Sequence, residues 1–595
     1  MSNRAIYLGD HELSGLPAEV SGSLVMLNGE KHYVIQNVHQ MPDFFITVVS
    51  DSDHWMFASS NGSLSAGRKD RDNALFPYYT DDKIHDYGGK TGSRSCFRIT
   101  RDHKTQLWEP FTLDAERFYQ ISRNLYKSIY GNSLVYEEIN HSLGLTFRYS
   151  WHNSQRFGFV RKASLMNAGN GAVSAEMLDG LLNIMPSGLE YAFQNEYSNL
   201  ADAYKTSERP GESSLALFSL SAIPVDKAEP SEALITTTVW SWGLGENPDI
   251  LLSELQWDAF ARGEAVKPEK RVHARRGAYL VHATVELKAR QNREWIMAAD
   301  INQSAADVVN IQHFLASKAD LSDEVPGDIQ LGTRNLKRLL ALSDGLQLTA
   351  SELDCARHYS NTLFNIMRGG VFSIGYQIEK HDFAACLQRA NRQVYQRNLS
   401  WLEKLPSLLS YADFIHRADA TDDQALIRLA REYLPLSFSR RHGDPSRPWN
   451  QFSIKARQPD TQIPYHYEGN WRDIFQNWEA LAYSFPEYTE SMLFRFLNAS
   501  TADGYNPYRI MREGIDWEAP DPDDPWAYIG YWGDHQIIYL QKLLELSEKF
   551  FPGRLKSLLQ KELFVYALIP YRIKPLEQII ENSKDTVVFD HALNA

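Results

Sequence analysis

The chain has 595 residues, a formal net charge of −14 and three cysteines, Cys96, Cys355 and Cys386. That length implies two or more domains with sizeable cores. The charge is spread without a basic block, which excludes the usual nucleic-acid-binding pattern, and the scattered cysteines exclude both a disulfide framework and metal-ligand spacing.

The amino terminus has no apolar signal core, and no run reaches the ~18 apolar residues of a membrane helix. The reading is therefore a cytoplasmic protein with no membrane partner, no metal and no cofactor. Aromatics make up 12% of residues, with 14 Trp and 30 Tyr, a content that suits stacking surfaces as well as large sandwich cores.

The first ~310 residues read as strands. Leu24 to Leu27 precede Asn28-Gly29, a type I′ hairpin signal, and Tyr33, Val34 and Ile35 follow. The run 44–49 is β-branched and aromatic. Segment 59–79, ending in Asn73-Ala-Leu-Phe-Pro-Tyr-Tyr79, reads as a loop with an aromatic anchor. Leu145, Phe147, Tyr149 and Trp151 alternate with polar residues, as do Tyr279, Val281, Ala283, Val285 and Leu287 among theirs. The fold class expected is β + α multidomain, with a large antiparallel β-sandwich first.

From about Val309 the period becomes helical. Leu336, Leu339 and Leu340 fit one face, and Tyr359, Leu363 and Met367 fit another, with Gly369-Gly370 as a stop. Further helices are predicted near 383–401, 423–433, 474–483, 491–497, 535–551 and 555–568. The connections 438–468 and 501–526 are long and polar, a place where function often sits. The expected domains are a β-sandwich over 1–310, a helical linker over 311–375, and a helical domain over 376–595.

Two short stretches carry the chemistry. Asn470-Trp-Arg472-Asp473-Ile-Phe-Gln476-Asn477-Trp478 and Tyr531-Trp532-Gly-Asp534-His535-Gln536 set charged and amide groups among indole rings. Indole faces pack on the C–H faces of sugars, while Arg, Asp, Gln and His bind hydroxyls directionally. Burying such groups without a polar partner is costly, so the mixture points to a carbohydrate cleft. Plainer roles stand beside it: Asp473 and Asp534 as helix caps, His535 as a structural residue, and the acidic run 516–526 as a solvated loop. There is no P-loop, dinucleotide turn, HExxH helix or Gly-x-Ser-x-Gly elbow.

These pieces resemble the cellobiose- and chitobiose-phosphorylase family, glycoside hydrolase family 94, and its relatives. The resemblance rests on Asn61-Gly62 through Tyr79, on Asn361 through Gly370, on Trp471 through Asn477, and on Trp532-Gly-Asp534. It implies an (α/α)6 toroid that cleaves β-linked di- or oligosaccharides with inorganic phosphate as co-substrate and inverts the anomeric centre. One carboxylic acid protonates the leaving oxygen while phosphate attacks the opposite face.

Arg472, Asp473, Gln476, Asn477, Trp478, Trp532, Asp534 and His535 are then the expected substrate-binding residues. Asn477 stands where the family has Asp. No Trp-Asn-Asp segment, the family's general-acid context, follows Trp532. Twelve helices with loops need roughly 350–400 residues, whereas 330–595 supplies about 265. The expectation is an incomplete toroid with the general acid beyond Ala595, inactive alone, acting as a homodimer or with a separate carboxy-terminal half. The alternatives are an inverting hydrolase using Asp473 and Asp534, with Glu513 in reserve, and a non-catalytic sugar-binding subunit.

Overall fold

A computed structural model describes residues 6–9, 11–12, 19–101, 103–222, 234–245, 248–317, 321–440, 445, 452, 454–455, 465–517, 536–583 and 585–594. The chain divides into two compact units. The first is Met1–Lys337 with Gly443–Ile454, and the second is Arg338–His442 with Lys455–Ala595.

Strands dominate the first unit. An eleven-stranded antiparallel sheet runs from Ser21–Leu27 at one edge, through Leu145–Ser154, Gly158–Asn167 and Asn292–Gln303, to Arg271–His273 at the other. A five-stranded sheet is centred on Val173–Ile184, between Gly92–Arg101 and Gly277–Leu287. The hairpin signal at Asn28-Gly29 is realised: both residues have positive φ, 50° and 79°, as a type I′ turn requires, and Leu27 pairs with Glu30.

Alternation sets the core. Leu145, Phe147, Tyr149 and Trp151 are buried, while Thr146, Arg148, Ser150 and His152 lie on the opposite face, half-buried. The inward set meets Phe97, Met177, Leu181, Tyr279 and Val281 from the five-stranded sheet. Each fully buried side chain of this size stabilises by about 1.5–3 kcal/mol relative to exposure.

A charged group crosses this apolar layer. Arg161, wholly buried, donates through Nη1 and Nη2 to the two oxygens of Asp179, both at 2.7 Å. Ser95 Oγ and Trp295 Nε1 also donate to Asp179, each at 2.6 Å. The carboxylate is thus fully satisfied, the condition under which a buried ion pair is tolerated.

Segment 59–79 differs from the expected loop. Leu64–Arg68 and Ala74–Phe76 are strands of a four-stranded sheet. Arg68 is held between Asp53 and Asp300, at 2.7 Å from each, and Asn73 accepts from Asn302 Nδ2 at 2.7 Å. Tertiary pairing overrides the local Gly, Asn and Asp signals here.

The second unit is mainly helical. The stop at Gly369-Gly370 is present, with the helix Glu352–Gly369 capped by Gly370 at φ 86°. The predicted helix at 383–401 is instead three pieces, Lys380–Ala390, Arg392–Arg397 and Leu399–Lys404. Asn391 causes the first break, because its Oδ1 accepts from the backbone N–H of Gln393 and Val394, both at 3.1 Å. Helices Trp471–Ser484, Thr489–Ala499 and Ile537–Phe550 match their predicted counterparts, whereas 555–568 yields only Arg554–Leu559. No described helix is long and apolar enough to cross a membrane.

Candidate functional site

The two long polar connections contribute strands too short for periodicity to reveal. Glu468–Asn470 pairs with Arg509–Met511, which pairs with Ile515–Asp516. The helix Trp471–Ser484 starts directly from this sheet, and its first N–H donates to Tyr508 O at 2.8 Å. Arg509 Nη1 donates to Glu468 Oε1 at 2.9 Å and its Nε to Asp516 at 2.8 Å.

Above this sheet sits the first turn that the sequence singles out. Arg472 Nη2 donates to Asp473 Oδ1 at 3.4 Å; Arg472 is partly exposed, and the Asp473 side chain is 13% exposed. Asp473 occupies the third position of the helix, and Asn470, the cap residue, makes no side-chain capping bond. Gln476 is exposed one turn on, in line with Arg472.

Asn477 is 5% exposed, and its Nδ2 donates to Asp473 O at 2.5 Å within the same helix. Trp478 is wholly buried, its Nε1 donating to Gly369 O at 2.8 Å, and its ring packs edge-on against Phe475 and Tyr467. Trp471 is wholly buried too. Neither indole offers a face to a ligand; both are core residues that fix the helix. Trp532, Asp534 and His535 lie outside the described residues. Glu513 forms an ion pair with Arg389 at 3.6 Å.

A cleft of about 580 Å³ opens along this helix. One wall is Gln476, Asn477, Glu479, Ala480 and Tyr483. The other is His358, Asn361, Thr362 and Asn365 of Glu352–Gly369, and Ser343, Asp344 and Gln347 close one end. The helical spacing of three to four residues places each set on one face. Glu479 is held by Lys542 Nζ, at 3.0 and 2.9 Å from its two oxygens.

The lining is rich in amides and hydroxyls, which both donate and accept, with a half-exposed Tyr483 ring at 54%. That combination suits a polyhydroxylated ligand. The segment from Asn361 to Gly370 enters the sequence reading as part of the family resemblance, but Asn361 and Asn365 are not among the expected binding residues; their i, i+4 spacing is the signal that could have found them. The cleft brings Gln476 and Asn477 together with the amide face of Glu352–Gly369.

His466 lies just before Glu468–Asn470 and is 3% exposed. Burial, reinforced by Lys455 and Arg512 and opposed by Glu513, lowers its pKa to about 4. Neither ring nitrogen has a hydrogen-bond partner among the described residues, so the ring is held neutral. Among the described residues no group of His, Cys, Asp or Glu side chains is arranged to hold a metal ion.

With the site in view, comparison with known proteins places part of this unit. A family model described as glycoside hydrolase family 149 insertion domain 1 matches residues 372–435. The match relates this segment, and not the whole chain, to an insertion domain of a glycoside hydrolase family. The comparison with curated sequences returned no match.

Among solved structures, the chain is similar to a candidate kojibiose phosphorylase from the human microbiome at 9% identity and TM-score 0.30, covering 87% of this chain and 59% of that one. It is also similar to a bacterial glucoamylase complexed with acarbose, at 11% identity and TM-score 0.28, covering 85% and 74%. A polysaccharide lyase aligns at 11% identity and TM-score 0.27, covering 46% of this chain and 34% of its own length. The chain thus spans about a third of the lyase and under two thirds of the phosphorylase.

Proposed function

We propose that the protein is a glycoside-phosphorylase-like carbohydrate protein. It binds a β-linked di- or oligosaccharide at the head of the helix Trp471–Ser484 and uses inorganic phosphate as co-substrate. The observation that carries this reading is the match of residues 372–435 to a glycoside hydrolase family 149 insertion domain, a segment that leaves and rejoins the chain beside that helix. Gly369, three residues before it, receives the Trp478 indole bond.

In this reading Arg472, Asp473 and Gln476 grip hydroxyls of the donor sugar, while the amide face across the cleft takes the rest of the chain. A carboxylic acid protonates the leaving oxygen and phosphate attacks the anomeric carbon from the opposite face. Asp473 and Asp534 are the carboxylates to substitute in search of that acid. The helices of this unit would belong to an (α/α)6-type array.

The test is incubation of the protein with cellobiose and longer β-linked glucans, with and without phosphate, and analysis of the sugars released. Phosphate-dependent release of a sugar 1-phosphate supports the phosphorylase reading and overturns the expectation that the chain is inactive alone. Phosphate-independent release favours the inverting hydrolase with Asp473 and Asp534 as its pair. Saturable binding without release by any route favours a non-catalytic sugar-binding subunit, and neither binding nor release overturns the proposal.

A further inference from the structure

The first unit contains a second cleft, of about 310 Å³, on the face of the eleven-stranded sheet that points away from the sandwich core. Its floor is the polar half of the alternation that builds the core. Cross-strand register sets Ser133 opposite His152, Ser150 opposite Lys162, and Ser164 between Arg148 and Glu294. Its roof is the middle of the helix Leu321–Leu342, from Pro326 to Thr333. Asn132 Nδ2 donates to Thr333 Oγ1 at 2.8 Å and Asn335 Nδ2 to Asp51 at 2.7 Å, so the roof is fastened to the sheet.

One group in this cleft is unsatisfied. Ser133 is 2% exposed, and its Oγ makes no hydrogen bond among the described residues. Native structures seldom leave such a group bare, because it forfeits its solvation without compensation. Lys162, half-buried in the same cleft, has its pKa lowered by burial despite the fields of Glu294 and Glu30.

We propose that this cleft is a second binding site, for a neutral polyhydroxylated ligand the size of a mono- or disaccharide. The charge balance selects the ligand class. Lys162 stands against Glu294 and Glu30, while Arg148 is already paired with Glu137, so a charged ligand of either sign meets a repelling group. Hydroxyls meet donors at Lys162 and acceptors at Glu294, and they meet groups that serve as both at Ser133, Ser150 and Ser164. The volume lies at the lower end for small-molecule sites. The cleft has no stacking face, since Trp295 is 1% exposed and turns its Nε1 inward to Asp179. The ligand is therefore held by edge hydrogen bonds alone, which sets this site apart from one built on exposed rings.

The test is calorimetric and saturation-transfer NMR titration of the whole chain with D-glucose, and separately with inorganic phosphate. It is run in the Arg472→Ala background so that binding at the second unit is weakened about tenfold or more. Saturable glucose binding in that background is expected, weakened about fivefold or more by Lys162→Met and by Ser150→Ala, with the circular dichroism of each unchanged. Ser150→Ala, which removes a single hydroxyl from a half-buried position, keeps the test valid if Lys162→Met fails to fold. Absence of saturable glucose binding overturns the proposal, as does binding that neither variant weakens. Phosphate binding that Lys162→Met abolishes, with no glucose binding, would make this an anion site and overturn it equally.

Discussion

Val371 and Ser437 exchange two backbone hydrogen bonds, N–H of Val371 to O of Ser437 at 2.9 Å and the reverse at 3.0 Å, forming an isolated antiparallel bridge. They lie just outside residues 372–435, the segment matched by the insertion-domain model. The bridge closes the segment at its base, and Ser437 also bridges Tyr465, which leads into Glu468–Asn470. The insertion is thereby tied to the strand from which the candidate sugar-binding helix starts.

Two glycines make this junction possible. Gly370 has φ 86°, and a Cβ there would stand 3.1 Å from Leu436 Cβ and 3.2 Å from Ser437 O; a Cβ on Gly369 would stand 2.9 Å from Asn477 Cβ. Gly370→Ala therefore adds both strain at positive φ and a close contact, and is expected to destabilise by about 1–3 kcal/mol. Chemical denaturation monitored by circular dichroism measures it. An unchanged midpoint would show that the bridge yields without cost.

The neutral His466 predicts a pH dependence with a definite sign. Its folded pKa is near 4 against an ordinary 6.5, so the unfolded chain binds the extra proton first as pH falls. Stability from this residue is full above pH 6.5, declines as pH drops toward 4, and changes by up to about 3 kcal/mol across that window. His466→Gln, uncharged throughout, should flatten the dependence between pH 6.5 and 4. Parallel slopes in the wild type and the variant would remove His466 from the account.

The Arg161–Asp179 pair predicts an acute response to truncation of one partner. Arg161→Met leaves a wholly buried carboxylate with only Ser95 and Trp295 as donors, at an expected cost of about 3–5 kcal/mol. Urea denaturation of the variant beside the wild type measures the loss, and an unchanged midpoint contradicts it.

The parts of this fold legible in sequence are those with a strict period or a stereochemical requirement. Phe147 and Tyr149 declare their face by alternation, Asn28-Gly29 declares a turn by its tolerance of positive φ, and Gly369-Gly370 declares a helix end. The three-residue strands at Glu468 and Arg509 are too short to show a period and form only because they meet each other. The interruption at Asn391 arises from a capping bond that competes with an otherwise continuous helical pattern. At the site, the polar first turn from Arg472 to Gln476 was legible by composition, but the indoles of Trp471 and Trp478 look the same in sequence whether they face a ligand or the core. The segment holding Asn361 and Asn365 stands out in sequence only by family resemblance, and their shared face on the cleft follows from the packing of one helix beside the other.

That distinction between indole and polar groups yields the last prediction. Arg472→Ala removes a partly exposed charged donor at the head of the helix and is expected to weaken binding of a β-linked disaccharide about tenfold or more, with little change in stability. Gln476→Ala, exposed on the same face, should weaken it roughly two- to tenfold. Trp478→Phe should do the reverse. It breaks the bond to Gly369 O inside the core and costs about 1–3 kcal/mol of stability, while the affinity of the folded protein stays near the wild-type value. Calorimetric titration with cellobiose, paired with thermal melts of the same samples, separates the two effects. Loss of affinity in Trp478→Phe alongside unaltered affinity in Arg472→Ala would move the sugar site away from this helix.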